Sequence, residues 1–331
     1  MMGQMVNAVE SSSASQVIWG TNINYNDLQI RIKNFLGSYI EIKDAEDEED
    51  FTKLPYYVEQ INQLFETETN TLEINCEHIY QFDEMLYRQL ENYPTDVIPA
   101  MDMIATQLFR EVVAGHQNVQ QQQLHSHLDS EAIQQPGMTP SGGLLPPGVE
   151  NQFILCRLFN MRRIYQIRDL DPRFIDKMIT IKGIVIRNSD VIPEMKEACF
   201  RCDKCGHIEM VYLQMGKVQE PDMCKQCRAK QSFQIIHNRS MFGDLQHVKL
   251  QETPESVPEG ETPQTIHLCA YDDHVDFVKP GDRVEVIGIY KAAGVRVNSQ
   301  KRTLKNVYRT YIDVVNFVKA DSNRFSTEDA A

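Results

Sequence analysis

The sequence predicts an α+β chain of more than one domain: a helical bundle, then a small closed β-barrel interrupted by a cysteine-bearing module. Three observations carry this. At 331 residues the chain exceeds the ~250 beyond which single cores rarely grow. Apolar residues recur at helical spacing up to about Ala114, then give way to β-branched runs after Phe153. Two Cys-x-x-Cys pairs fall inside the β-rich part.

Composition narrows the function classes. With 42% apolar and 24% charged residues, each domain can bury a core. No run of ~18 apolar residues reads as a transmembrane helix. The opening MMGQMVNAVESSSASQ lacks the basic-then-apolar pattern of a secretory signal. A net charge of −14 argues against a protein coated over its whole surface by nucleic acid. Acid is concentrated in EIKDAEDEED and base near the C-terminal end, which leaves room for a local basic site.

Residues 1–16 form a Ser-rich leader expected to be disordered. Residues 17–115 read as a helical subdomain. In NDLQIRIKNFLGSYI, Leu28, Ile32, Phe35 and Leu36 share one face. The acidic run at 44–50 reads as a loop. YYVEQINQLF groups Tyr57, Ile61, Leu64 and Phe65, and HIYQFDEMLYRQLENY reads as one helix stopping near Pro94. In VIPAMDMIATQLFREVVA the stripe is Val97, Met101, Ile104, Leu108 and Val112, with Pro99 early enough for the first turn. Four amphipathic helices make a bundle. Residues 116–150 are rich in Gln, Pro, Gly and Ser and are expected to form a disordered insertion, too floppy for His116, His125 and His127 to hold a metal. Cys76, Cys156 and Cys269 read as small core residues.

After Phe153, MITIKGIVIRNSDVIP, QHVKLQE, TIHLCAY, DRVEVIGIYKAA and LKNVYRTYIDVVNFVK read as about five strands, with KPGDR as a turn. Five strands split by an insert predict a closed barrel of the OB type at 151–198 and 236–320, around a module at 199–235. Periodicity alone also allows a β-sandwich.

The module carries the clearest chemistry. Eighteen residues separate Cys202 and Cys205 from Cys224 and Cys227, within the spacing of zinc ribbons. Each pair forms a tight turn that aims two thiolates at one centre, and four thiolates suit tetrahedral Zn²⁺. Four protein ligands leave no open position, so the site is structural. Cys199 and His207 lie close enough to substitute, but the symmetric set is favoured. A second feature is the stretch from Val286 to Thr310, with Lys291, Arg296, Lys301, Arg302, Lys305 and Arg309 and no acidic residue. It reads as a basic hairpin that either neutralises phosphates or pairs with an acidic neighbour. It lacks interleaved exposed aromatics of the kind on which single-strand binders stack bases. A third is the loop QETPESVPEGETPQ at 251–264. Its three prolines and lone aliphatic Val257 predict a weakly anchored, extended segment that reaches a neighbour. No GxxxxGK[ST], GxSxG or HExxH occurs, so no catalytic site is readable.

These segments resemble a known family. MLYRQLENYPTDVIPAMD, DKMITIKGIVIRNSDVIPEMKEA, the four-cysteine module, IHNRSMFGDLQHVKLQETPESVPEGETPQTI and VKPGDRVEVIGIYKA are similar to the N-terminal region of eukaryotic minichromosome maintenance (MCM) proteins, the subunits of the hexameric replicative helicase. VIWGTNI, after the leader, is similar to the fourth subunit class. The resemblance covers Val17 to Phe325 apart from the insertion. It implies a nuclear DNA-binding and hexamer-assembly tier, acting in origin licensing, initiation and fork unwinding. It implies single- and double-stranded DNA in a central channel, and other MCM subunits in a hetero-hexamer and a head-to-head double hexamer. Zn²⁺ would be structural. ATP and Mg²⁺ would belong to an ATPase domain absent here, toward which 321–331 read as a linker. Arg187 and Lys249 match the family's single-strand-binding motif. Lys291, Arg296, Lys301, Arg302 and Lys305 match its channel-facing hairpin. Gln251, Glu252, Pro254, Pro258 and Pro263 match the loop that communicates between tiers. The chain departs from the family in its short N-terminal tail, its Gln-rich insertion, Cys199 in place of an apolar aromatic and Gly294 in place of a bulkier residue. The competing readings are a stand-alone zinc-ribbon/OB single-stranded-DNA-binding protein and a structural adaptor.

Overall fold

A computed structural model describes residues 21, 23–40, 55–67, 69–126, 152–212, 218–296 and 304–319. The leader at 1–16, the acidic run at 44–50, the insertion beyond 126 and the segment 321–331 lie outside the described residues. The chain divides into two units, 1–162 and 163–331.

In the first unit, helix α1 (Tyr25–Ser38) buries Leu28, Ile32, Phe35 and Leu36, the expected face. Helix α2 (Tyr56–Thr67) buries Tyr57, Ile61 and Leu64 but leaves Phe65 exposed. The single helix expected next is two, α3 (Cys76–Phe82) and α4 (Glu84–Asn92). Asp83 breaks it: its backbone is extended, and its carboxylate accepts the N–H groups of Met85 and Leu86, the N-cap geometry that starts a helix. In helix α5 (Pro94–Ser126) the buried stripe ends on Phe109 and Val113 rather than Leu108 and Val112.

Two further expectations are corrected here. Residues 116–126, assigned to a disordered insertion, continue α5. No Pro or Gly interrupts HQNVQQQQLHS, and extending a helix already begun costs far less than nucleating one. The barrel does not begin at 151: strand β2 (Leu155–Phe159) pairs in parallel with β1 (Thr71–Asn75) in the first unit. Helix α5 holds β2 there. Thr106 Oγ1 accepts the Ile154 N–H at 3.0 Å and Asp102 Oδ1 accepts the Cys156 N–H at 2.7 Å, so donors the two-stranded sheet leaves over are satisfied inside the bundle. Cys76 and Cys156 are buried, the latter beside Asp102.

The second unit is built from β3 (Ile164–Tyr165), β4 (Met178–Asn188), β5 (Ile192–Cys202), β6 (Ile208–Tyr212), β7 (Phe233–Ile235), β8 (Met241–Gln251), β9 (Thr265–Tyr271), β10 (Arg283–Arg296) and β11 (Leu304–Lys319). The order β4-β10-β11-β9-β8, with β8 pairing back onto β4, closes an OB-fold barrel. Ile181, Val248, Leu250, Leu268, Val286 and Ile312 fill it. Two glycines mark the closest backbone approaches. A Cβ at Gly183 would sit 2.6 Å from the Gln251 carbonyl oxygen, and one at Gly288 would collide with that of Asp313. Strand β5 leaves the barrel. Its first half pairs with β8 and its second with β6 and β7, over a small core of Ala198, Phe200, Cys202, Cys224 and Phe233.

Candidate metal centre and nucleic-acid interface

The four ribbon cysteines converge. Their sulfurs all lie within 4.8 Å of one another, with Cys202 Sγ 3.6 Å from Cys227 Sγ and Cys205 Sγ 3.5 Å from Cys224 Sγ. These are not disulfides, and a tetrahedron with metal–sulfur bonds of ~2.3 Å has edges of about 3.8 Å. Two matching knuckles build the cluster. Gly206 N–H bonds the Cys202 carbonyl at 2.9 Å, and Arg228 N–H bonds that of Cys224 at 3.0 Å. Both donors have positive φ, +72° and +55°, the turn that folds each Cys-x-x-Cys back on itself. Cys199 and His207 are not in the cluster; Cys199 is buried in β5, its N–H donating to Ser240 Oγ.

The electrostatics fit a cation. The Ser232 hydroxyl, 3.2 Å away, and the N–H groups of Cys205 and Lys204 pull the Cys202 thiol down to about 6. N–H groups of Cys227 and Gln226 lower that of Cys224. The His207 N–H also draws on Cys205, yet burial and the neighbouring sulfurs push that thiol up to about 12. Four bare thiolates this close cannot all ionise, whereas a bound cation lets them. The cluster can hold one metal ion.

Arg187 and Lys249 sit directly opposite each other on β4 and β8. A bulge explains how. Val185 pairs with Leu250, both buried, but the next pair is Arg187 with Lys249, so β4 spends one extra residue there. The extra residue, Ile186, swings Arg187 from the core side to the outer face that Lys249 occupies. Neither side chain has an ion-pair partner among the described residues.

The hairpin is long: β10 and β11 pair from Val284–Lys319 to Arg296–Leu304. Lys291 is half-buried and ion-paired to Asp313, which also accepts the Tyr271 hydroxyl at 3.3 Å. Lys305 and Arg309 are exposed. Arg296 closes the ladder against Leu304, while Lys301 and Arg302 lie outside the described residues. The stretch does carry an exposed aromatic, contrary to expectation: Tyr308, 49% exposed and opposite Gly294. With a period of two it faces away from the side shared by Arg309 and Lys291.

The 251–264 loop is anchored, also contrary to expectation, by charge rather than by an apolar core. Glu252 is 2% exposed. Arg168 grips it with both ends of the fork, Nε to Oε1 and Nη2 to Oε2, each at 2.8 Å. Arg168 Nη1 reaches Glu261 at 2.6 Å, and Arg283 holds Glu255 at 2.7 Å. The Arg168 guanidinium keeps the Glu252 carboxyl below the usual carboxylate range despite burial. Gln251 ends β8; Pro254, Pro258 and Pro263 lie exposed beyond the anchor. Sequence reading missed Arg168, which no spacing pattern marks.

Comparison with known proteins follows the same division. A family model for the MCM N-terminal domain matches residues 29–134, and one for the MCM OB domain matches 166–294. The chain is 37% identical over 323 residues to DNA replication licensing factor mcm4-A of Xenopus laevis, covering 97% of this chain and 34% of that protein. It is 36% identical over 324 residues to DNA replication licensing factor MCM4 of Drosophila melanogaster, with the same shares covered. It is 34% identical over 322 residues to DNA replication licensing factor mcm4 of Schizosaccharomyces pombe, covering 95% and 33%. The chain spans about a third of the length of these relatives.

Proposed function

Because the chain belongs to the MCM family, matching its N-terminal and OB domains in order, we propose that it is the DNA-gripping, subunit-assembling N-terminal tier of an MCM4-type replicative helicase subunit. The observation that carries the DNA reading is the Arg187–Lys249 pair. Like charges directly opposite on neighbouring strands destabilise a sheet, and here a bulge brings them together with no ion-pair partner for either among the described residues. A phosphate backbone supplies the missing negative charge, without sequence preference. Lys305 and Arg309 on the exposed hairpin extend the same grip, and Arg296, Lys301 and Arg302 are assigned to it from the sequence.

The remaining assignments complete this reading. The ribbon holds a structural Zn²⁺ through Cys202, Cys205, Cys224 and Cys227. The tier assembles with other MCM subunits in a hetero-hexamer, and ribbons meet across a head-to-head double hexamer. The loop of Gln251, Glu252, Pro254, Pro258 and Pro263 couples the DNA grip to an ATPase tier. The protein acts in the nucleus, in origin licensing, initiation and fork unwinding.

A salt titration of single-stranded DNA binding tests the grip. The Arg187→Ala, Lys249→Ala double variant is expected to flatten the slope of log K against log salt by about 1.4, ~0.7 for each lost phosphate contact. An unchanged slope means that these side chains face protein or water instead.

A further inference from the structure

Arg187 and Lys249 are the first two members of a longer row. Lys249 on β8 is paired in register with His267 on β9. Leu268 pairs with Ile312 across the parallel β9–β11 contact, both in the core, so one residue back His267 and Tyr311 lie side by side on the outer face. Tyr311 is in turn opposite Lys291 on β10. One cross-strand line therefore runs Arg187, Lys249, His267, Tyr311, Lys291 over five strands. At ~4.8 Å per strand it spans about 19 Å. No acidic residue stands in it; at its hairpin end Asp313, one register step away, pairs with Lys291, and Asp176 and Glu194 also act on Tyr311, so the open positive stretch is the one from Arg187 to His267.

From this register we propose that a nucleic-acid strand crosses the barrel along the row, perpendicular to the β-strands, and that His267 is the phosphate contact joining the Arg187–Lys249 pair to the base of the hairpin. The proposal rests on the DNA-binding reading above. His267 is exposed and has no hydrogen-bond or ion-pair partner among the described residues. Its ring offers one N–H donor when neutral and two when protonated, which suits a phosphate oxygen in either state. Its two in-row neighbours, Lys249 and Tyr311, are half-buried, so His267 is the most accessible side chain between Arg187 and the hairpin.

The test is the same salt titration on the full chain with a single-stranded oligothymidine. Exchanging His267→Arg puts a fixed charge in the row and is expected to steepen the slope by up to ~0.7; His267→Glu is expected to weaken binding severalfold. The same Arg exchange at His237, exposed on a short helix outside the row, is expected to change neither. If the His267 and His237 exchanges act alike while the Arg187→Ala, Lys249→Ala variant still loses slope, the row is wrong and the DNA reading stands. If the wild-type chain has no affinity for the oligonucleotide, both fall.

Discussion

The ribbon and the 251–264 loop both project from the barrel, and they are held in opposite ways. The ribbon is held by groups close in sequence: two four-residue knuckles whose turns and N–H donors shape a sulfur cage. The loop is held across the fold, by Arg168, which lies 84 residues before Glu252 in the chain. One anchor is a cage that can hold a cation from outside the protein. The other is complete within it, since the fork of Arg168 meets both oxygens of Glu252. The two should therefore fail separately, the ribbon on metal loss and the loop on loss of charge.

The sharpest way to break that comparison is to remove a sulfur. Cys224→Ser is expected to abolish stoichiometric zinc and unfold the ribbon, because structural zinc supplies about 10–16 kcal/mol to modules of this kind. Hydrogen exchange should rise over Phe200–Phe233 and stay protected in the barrel and in the helical unit. Metal analysis of the wild type is expected to give one zinc per chain. Folded protein with none would overturn the assignment.

This contrast also decides what the sequence makes legible. Cys-x-x-Cys spacing is local, and so is the two-residue period of the barrel strands, so both can be read directly. Asp83 carries a local signal as well, since an Asp just before an apolar periodic run is a helix start, yet a continuous stripe across it masked the break. The Gln-rich run was misread because its composition resembles disorder, while nothing in it stops a helix that α5 has already begun. Three features have no local signature. The pairing of Thr71–Asn75 with Leu155–Phe159 joins short segments far apart in sequence. The bulge at Ile186 decides which face Arg187 occupies, and Arg168 is one arginine among many. Tyr308 was visible as a residue, but its exposure follows from a hairpin that outruns the barrel.

The loop is the second place to press. Arg168→Ala leaves the Glu252 carboxylate buried without its partner, and losing one member of a buried pair costs much more than losing a surface pair. The melting temperature of the second unit is expected to fall by several degrees, with zinc content unchanged. Arg168→Lys should restore only part of the loss, because an ammonium cannot span both oxygens. The pH dependence has a definite sign. The folded-state pKa of Glu252 is depressed, so its contribution is fully present above the ordinary Glu value of ~4.3. It is lost as pH falls through the lower, folded value. Wild type and Arg168→Ala should therefore differ most near neutrality and converge in acid.

The smallest effect is the one that separates anchor from ornament within the loop. Glu261 and Glu255 also touch arginines, at 2.6 and 2.7 Å, and on distance alone they rank with Glu252. Exposure ranks them differently. Their side chains are 61% and 67% accessible, against 2% for Glu252. Water and salt screen such pairs, and holding two long side chains in one geometry costs entropy that offsets the attraction. The Glu255→Gln, Glu261→Gln double variant is therefore expected to leave the melting temperature unchanged within error, at low salt as well as high. Glu252→Gln alone should lower it, because the neutral amide gives up its charge and turns one end toward Arg168 as a donor. A double variant as unstable as Glu252→Gln would mean that the loop is held by its whole acidic rim. The buried Arg168–Glu252 pair would then be one clasp among several, and the contrast with the single-centre ribbon would lose its basis.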